Sequence, residues 1–460
     1  MRHFPPADRP LKIAVVGTGI AGLSAAWLLA SRHEVTVFES DARIGGHCHT
    51  IDTGEARVDT GFIVYNDATY PNLAALFAHL DVPTKASSMS FAVSLDDGDL
   101  EYSGSSLDGL FAQRRNLASP RFWSMLRDLV RFYRDAPDAV NGIGASASLD
   151  DYLNAAGFGT AFREDHLYPM AAAIWSTPSV EIGEYPAVSF IRFCDNHGLL
   201  KFFRRPVWRT VEGGSRAYVE KLVEPFRHRI RTAAPVSAIR RVNGAVEIST
   251  PGAEPEWFDH VVVGAHADQA LRMLADPSED ESRLLGAFSY GRNETVLHQD
   301  PTLMPKRRGV WSSWNYLAQS RVPGAPRPKP CVTYWMNRLQ GIDDATPLFV
   351  TLSPLTDPAP DRVLWRGTYE HPLINARTLA AQGQLWSLQG DRNTWFCGSY
   401  FGSGFHEDAI QAGLAVGEAL GGARRPWTVE RESGRICIPR QPEPGNATAL
   451  PTGSVGSATS

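Results

Sequence analysis

Lys12-Ile13-Ala14-Val15-Val16-Gly17-Thr18-Gly19-Ile20-Ala21-Gly22 is the stretch that decides how this 460-residue chain begins to fold. Lys12 to Val16 is a short apolar run of the kind that forms a buried strand. A turn with three glycines comes next. Ala21 to Ala30 then reads as a helix and Val35 to Glu39 as a second strand. Strand, turn, helix and strand make one βαβ unit at the start of a parallel sheet. Gly17 permits the tight turn, Gly19 leaves room for a pyrophosphate to approach the backbone, and Gly22 lets the helix lie close on the strand. Ile20 and Ala21 open the helix, where free N–H groups and the positive end of the helix dipole favour phosphate. Glu39 closes the second strand at the spacing of an acid that accepts hydrogen bonds from a ribose. An acid there disfavours a 2′-phosphate. The expected ligand is therefore a dinucleotide other than NADP. Ile13 to Ala30 has the hydropathy of a membrane span, but its glycines, Thr18 and Ser24 fit strand, turn and helix instead. No other segment is long and apolar enough to cross a bilayer.

The residues after Glu39 choose among dinucleotides. Ser40-Asp41-Ala42-Arg43-Ile44-Gly45-Gly46-His47 comes directly after the acid. Gly45 and Gly46 let a second backbone stretch approach a cofactor, and Arg43 is placed to neutralise phosphate. A plain NAD domain has no need of this second turn. FAD, held non-covalently, is the expected cofactor, with Ser40, Arg43, Gly45, Gly46 and His47 among its contacts. Only one fingerprint is visible, so a built-in NAD(P)H site is not expected.

The bulk properties narrow the class further. A chain of this length points to two interlocking domains. Its net charge of −5 argues against a nucleic-acid partner, since such domains usually carry a basic excess. Cys48, Cys194, Cys331, Cys397 and Cys437 are scattered and form no CxxC pair. They suit a reducing cytosol rather than a disulfide framework or a zinc site. In an extended His47-Cys48-His49 the two histidines would share one face, and two ligands on a turn do not make a metal site; no metal is expected. The polar, proline-rich residues 1–10 lack a signal-peptide core, so the expected location is cytoplasmic, with peripheral membrane contact left open.

These motifs resemble those of the flavin-containing amine oxidase superfamily, which includes monoamine and polyamine oxidases, phytoene desaturases and protoporphyrinogen oxidases. The matching residues are Gly17, Gly19, Gly22, Glu39, Gly45 and Gly46. A further block, Phe396-Cys397-Gly398-Ser399 followed by Gly402, Gly404 and a helix with Ala409 and Gly413, looks like the family's C-terminal motif. Val211-Glu212-Gly213-Gly214 resembles its middle GG motif, and Val236 its adenine-contacting valine. The resemblance implies that Val236, Gly398, Ser399, Phe405, His406 and Ala409 also lie against the cofactor. It further implies that the helix starting near Glu407 points its N-terminus at the flavin. Val58–Asn66, Thr333–Gln340 and Gly404–Asp408 are similar to a bacterial branch described as predicted NAD/FAD-binding proteins, often found beside cyclopropane-fatty-acid-synthase-like methyltransferases. This chain departs from the pattern at His47, where many relatives have Arg, and at Ser399, where many have an acid.

The implied fold is α/β: a discontinuous Rossmann-like FAD-binding domain and a mixed α+β substrate domain, as in amine oxidases. The FAD-binding segments are expected at residues 10–100, 208–290 and 391–425, and the substrate-domain segments at 101–207 and 291–390. Residues 426–460 form a C-terminal extension, disordered from Asn446. Within these, Phe122 to Tyr133 reads as a helix, and Val236–Arg241 with Val246–Thr250 as a hairpin around Asn243-Gly244. The expected activity is removal of a hydride from a C–H bond of an apolar, fatty-acyl-like substrate by oxidation, desaturation or isomerisation, with oxygen or a quinone as electron acceptor. Amine oxidation and a non-catalytic flavin- or lipid-binding role are the alternatives. His406, at the helix junction, is the candidate catalytic residue; Tyr65 and Trp335 are the candidate substrate contacts. The tryptophans and tyrosines between 311 and 395 read as core or as the wall of an apolar tunnel. His298 and His371 read as surface or packing residues.

Overall fold

The computed structural model describes residues 9–144, 147–175, 182–202, 205–319 and 330–439. The tail from Asn446 lies outside them. β1 (Lys12–Val16), α1 (Ile20–Leu29) and β2 (Glu34–Phe38) form the βαβ unit. β1 is central in a five-stranded parallel sheet in the order Ile230–Arg231, β2, β1, His260–Val263, Thr394–Phe396. Segments from the start, middle and end of the chain thus share one sheet. Ile13–Val15 and Val261–Val263 are wholly buried. Strands covered on both faces read as unbroken apolar runs, which is why these were conspicuous in the sequence.

α1 is buried almost all round because it packs between this sheet and the helix His406–Ala419. Its one partly exposed side, at Trp27, is stacked by Trp427 at 5.9 Å, so residues just past 425 dock on the dinucleotide unit. A small antiparallel sheet, Ala238–Val242, Ala245–Ser249 and Glu256–Phe258, places Ile239, Val246 and Ile248 in the same core. The hairpin turns at Asn243 and Gly244, both at positive φ, as Asn-Gly predicts. Val236 falls before the first strand rather than within it.

The second unit is a seven-stranded sheet with a helical cap. Its order is Val363–Pro372, Tyr290–His298, Phe349–Leu352, Cys331–Trp335, Trp314–Ala318, Phe91–Leu95, Leu100–Ser103. All pairs are antiparallel except Phe91–Leu95 with Trp314–Ala318. Phe91–Leu95, expected in the first FAD-binding segment, belongs to this sheet. Leu100–Ser103, at the expected boundary between the first FAD-binding and first substrate-domain segments, is its edge strand. Helices Pro120–Ala139, Tyr168–Trp175 and Ala187–Asn196 enclose a separate aromatic core around Phe132, Phe162 and Phe190. A π-helical turn, Arg163–Leu167, leads into the second of them. Such turns push side chains out of helical register and are frequent at functional sites.

Candidate functional site: one cavity with two ends

A cavity of about 1080 Å³ runs between the two units. That is just above the usual range for ligand sites, about 300–1,000 Å³. One end is a crevice at the carboxyl edge of the parallel sheet; the other is a chamber beneath the helical cap.

Backbone builds the crevice. Gly17, Gly19, Ile20 and Ala21 line it, with Glu39, Ser40, Val236, Gly45, Gly46 and His47. Glu39 accepts a hydrogen bond from the Thr18 amide at 2.8 Å and from the Thr18 hydroxyl. Its other oxygen accepts from the Asp41 amide at 2.8 Å. The Thr18 hydroxyl oxygen accepts in turn from the Gly45 amide, tying the second glycine turn to the first. A Cβ on Gly19 would meet no protein atom within 4 Å, so the space before it is open to a ligand. Gly398, Ser399, Phe405, His406 and Ala409 line the cavity where the crevice meets the chamber. These glycine turns, an acid already oriented and two helix N-termini suit a dinucleotide's sugar and phosphates.

Three expected contacts fall elsewhere, and Gly22 keeps to the helix–strand packing expected of it. Gly22 does not line the cavity; a Cβ there would collide with the Gly17 carbonyl oxygen, so it serves helix–strand packing. Arg43 turns back, donating to the Gly46 carbonyl at 2.7 Å and pairing with Asp41 at 3.3 Å. It shapes the turn and does not line the cavity. Tyr65 is buried on the opposite face from Val64, packed edge-on against Phe77 at 5.0 Å with its hydroxyl donating to Thr84. Trp335 lies against Trp311 and Arg308 while its neighbour Tyr334 faces the cavity. Both substrate candidates missed by one position, because neighbouring strand residues point to opposite faces.

His406 opens its helix and stacks on Phe62 at 4.0 Å. Its Nε2 lies 2.6 Å from the Tyr218 hydroxyl and 3.6 Å from Cys48 Sγ, and the Tyr218 hydroxyl lies 2.9 Å from the same sulfur. Burial pushes His406 down to about 3, the Cys48 thiol up to about 12 and Tyr218 well above its usual value. All three are neutral at pH 7. The Tyr218 hydroxyl bridges Cys48 Sγ and His406 Nε2 in a hydrogen-bonded chain that either neutral tautomer of His406 completes, and this chain fixes the ring's orientation. The acids beside it are structural. Glu407 accepts from the Asn72 and Leu73 amides at the start of helix Pro71–His79, and Asp408 accepts from the Phe405 amide at 2.7 Å and pairs with Arg435.

Side chains build the chamber. Phe405 stacks on Phe193 at 4.8 Å and joins the two ends. Met170, Ile174, Trp175, Trp314 and Tyr334 continue the apolar wall. His166, on the π-helical turn, meets Tyr102 through Nδ1 at 2.9 Å and Tyr133 through Nε2 at 3.3 Å. Burial pushes it down to about 4, and the neighbouring His197 down to about 3. Among the described lining residues the only carboxylates are Glu39 and Glu370, both on the crevice side, and the only cations are Arg205 and Arg272.

Sequence reasoning missed His166, His197, His266 and His371. His371 is half-buried and lines the cavity, contrary to its expected packing or surface role. The signal was present: Tyr369 and His371 are two apart on a strand and share a face. His298 is a packing residue, bonded to Thr351 and to the Asp300 amide. Of the tryptophans, only Trp314 among those from 311 to 395 lines the cavity; Trp386 and Trp395 are core. Among the described residues no group of three His, Cys, Asp or Glu side chains is placed to hold a metal ion, and no helix is long and apolar enough to cross a membrane.

A parallel-sheet dinucleotide crevice opening onto a chamber in a second domain is the form of a two-domain flavoenzyme. The model of the flavin containing amine oxidoreductase family matches residues 20–302, and the chain belongs to that family; it is an FAD-dependent oxidoreductase. Solved structures share the fold across nearly their whole length. The CLA-producing fatty acid isomerase from P. acnes has a TM-score of 0.62 at 17% identity, covering 88% of this chain and 97% of its own. Putrescine oxidase bound to putrescine has 0.65 at 14%, covering 89% and 99%. Cyclohexylamine oxidase from Brevibacterium oxydans has 0.62 at 15%, covering 90% and 99%. No curated protein sequence matches the chain.

Proposed function

We propose that the protein holds FAD non-covalently in the crevice and oxidises, desaturates or isomerises an apolar, fatty-acyl-like molecule seated in the chamber. One observation carries the substrate class: the chamber wall is aromatic and aliphatic, and its described lining residues include no carboxylate. A protonated amine entering it would lose its hydration with no counter-charge in return. An acyl chain gains about 0.8 kcal/mol for each methylene buried. Arg205 suits an anionic head group, and neutral His166 with its two tyrosines can hydrogen-bond an oxygen without adding charge.

FAD, when bound, supplies the two-electron chemistry. The chain orients the cofactor through Glu39 and the two glycine turns, and excludes water with Phe62, Phe405 and the helical cap. His406 presents a neutral imidazole at the cavity wall, held in place by the chain from Cys48 through Tyr218. Non-covalent binding is supported by the cysteines near the site: Cys48 and Cys397 do not line the cavity, and burial pushes both thiols up to about 12. The electron acceptor is proposed to be oxygen or a quinone.

Mass spectrometry of lipids from cells with and without the protein tests the substrate class. A fatty-acyl species that loses two hydrogens, or moves in retention at constant mass, is expected. Unchanged lipids alongside an altered amine would overturn the reading.

A further inference from the structure

Three half-buried histidines from three segments converge on the phosphate side of the crevice. His47 follows Gly46, which lies so close to the fingerprint that a Cβ on it would stand 3.0 Å from the Gly19 Cα. His266 comes two residues after Gly264, whose carbonyl oxygen would lie 2.9 Å from a Cβ on Gly17. His371 reaches in from the strand Val363–Pro372. The His47 ring centre is 6.4 Å from that of His266, 5.6 Å from His371 and 5.1 Å from Tyr369. All three histidines line the cavity, and His47 Nε2 is buried without a hydrogen-bond partner among the described residues.

The charges around the cluster are already committed. Arg43, which faces His47, is tied to the Gly46 carbonyl and Asp41. Arg272, beside His266, is paired with Asp268 at 2.7 Å. Glu370 lies 3.6 Å from His266 Nδ1, and Tyr290 stacks on the His266 ring at 4.3 Å. His371 Nδ1 accepts from Asn293, and neutral His406 faces His47 from the helix side. A diphosphate entering here meets helix N-termini and backbone amides, while Arg205, the one other lining arginine among the described residues, lies at the chamber and Arg272 is paired with Asp268. The group able to supply a matching charge is a histidine.

We propose that His47, with His266 and His371 beside it, binds the dinucleotide's diphosphate together with one proton from solvent, so that cofactor affinity rises as pH falls. The inference rests on FAD being the ligand of the crevice. Burial holds all three rings below the usual histidine value; neighbouring histidines add to this for His47 and for His371, which is pushed down to about 4, while Asp268 and Glu370 partly offset it for His266. An adjacent anion favours the charged form and moves a histidine upward. Protons taken up on binding make dissociation easier as pH rises.

The test dilutes FAD-loaded full-length protein into buffers from about pH 5.5 to 8, the range in which histidine titrates, and measures free FAD after ultrafiltration. The dissociation constant is expected to rise with pH, by up to about tenfold per unit where one proton is coupled. His47→Gln should flatten this dependence and weaken binding at the acid end. His47→Arg carries a fixed charge and should bind FAD at pH 8 at least as tightly as wild type, with little slope. A flat response in the wild type, or an undiminished slope in His47→Gln, would overturn the proton linkage. A wild-type protein free of FAD at every pH would instead overturn the cofactor reading on which the inference rests.

Discussion

The crevice and the chamber meet in one cavity but are made differently. In the crevice the backbone is the surface: glycine turns, helix N-termini and an acid held by neighbouring amides. In the chamber side chains are the surface, contributed by three helices, a π-helical turn and one face of a seven-stranded sheet. A backbone surface is specific because each position tolerates one geometry, and a single added carbon fills it or breaks it. A side-chain surface is graded, since each aromatic or aliphatic group adds a fraction of the total burial. Substitutions in the first should therefore act as switches and those in the second as dials.

The largest contrast lies within the fingerprint itself. Gly22→Val forces a Cβ into the Gly17 carbonyl and should cost about 3 kcal/mol or more through overpacking, read as a lowered Tm and poor recovery of folded protein. Gly19→Val, three residues earlier, places its Cβ clear of other protein atoms and should fold as wild type while losing its yellow colour. If Gly22→Val folds normally, or Gly19→Val keeps a full complement of flavin, the switch-like behaviour of the crevice is disproved.

The next effect is of similar size but spread over the chamber and its junction. His166, His197 and His406 stay neutral in the fold down to about pH 4, 3 and 3. In the unfolded chain histidine titrates near 6.5, so below that pH the unfolded state binds more protons and stability falls as pH falls. By the time its folded value is reached, each group can contribute on the order of 3 to 5 kcal/mol. A urea midpoint that drops steadily from about pH 6.5 towards 4 is expected, with a shallower drop in His166→Leu. A midpoint that is flat over this range would contradict neutral burial.

Smaller, graded effects belong to the ligand. Binding of a fatty-acid series should tighten about fourfold per methylene until the chamber is full. Phe193→Ala should reduce that increment for the longer members, which calorimetry on the series would read. Arg205 is exposed, so Arg205→Gln should weaken a carboxylate relative to its methyl ester by no more than about 1 kcal/mol. A larger loss would move the head group deeper than the chamber mouth.

The same difference explains how much could be read from the sequence. The crevice was legible because its determinants are local: Gly17 to Gly22 and Glu39 lie within one βαβ unit, and the GG turn comes immediately after. Its strands were legible because burial on both faces makes them continuously apolar. The chamber was not, because Phe193, Trp314 and His166 come together only through long-range packing. Strand parity cost the two substrate candidates: Val64 and Tyr334 face the cavity, so Tyr65 and Trp335 face away. Arg43 looked like a phosphate ligand by proximity, but its guanidinium is used within its own turn. His166 owes its inward position to a π-helical turn, for which Arg163–Leu167 carries no sequence signature. Cys48 and Tyr218, which fix His406, lie 170 residues apart in the chain and share no motif.

The central claim, that the chamber offers an apolar chain to a flavin, is tested most directly by anaerobic stopped-flow mixing of the loaded protein with long-chain unsaturated fatty acids, their esters, and a diamine. The flavin absorbance band should bleach, lastingly or transiently, with the acyl compounds and stay unchanged with the diamine. Bleaching by the diamine and by none of the acyl compounds would contradict the claim.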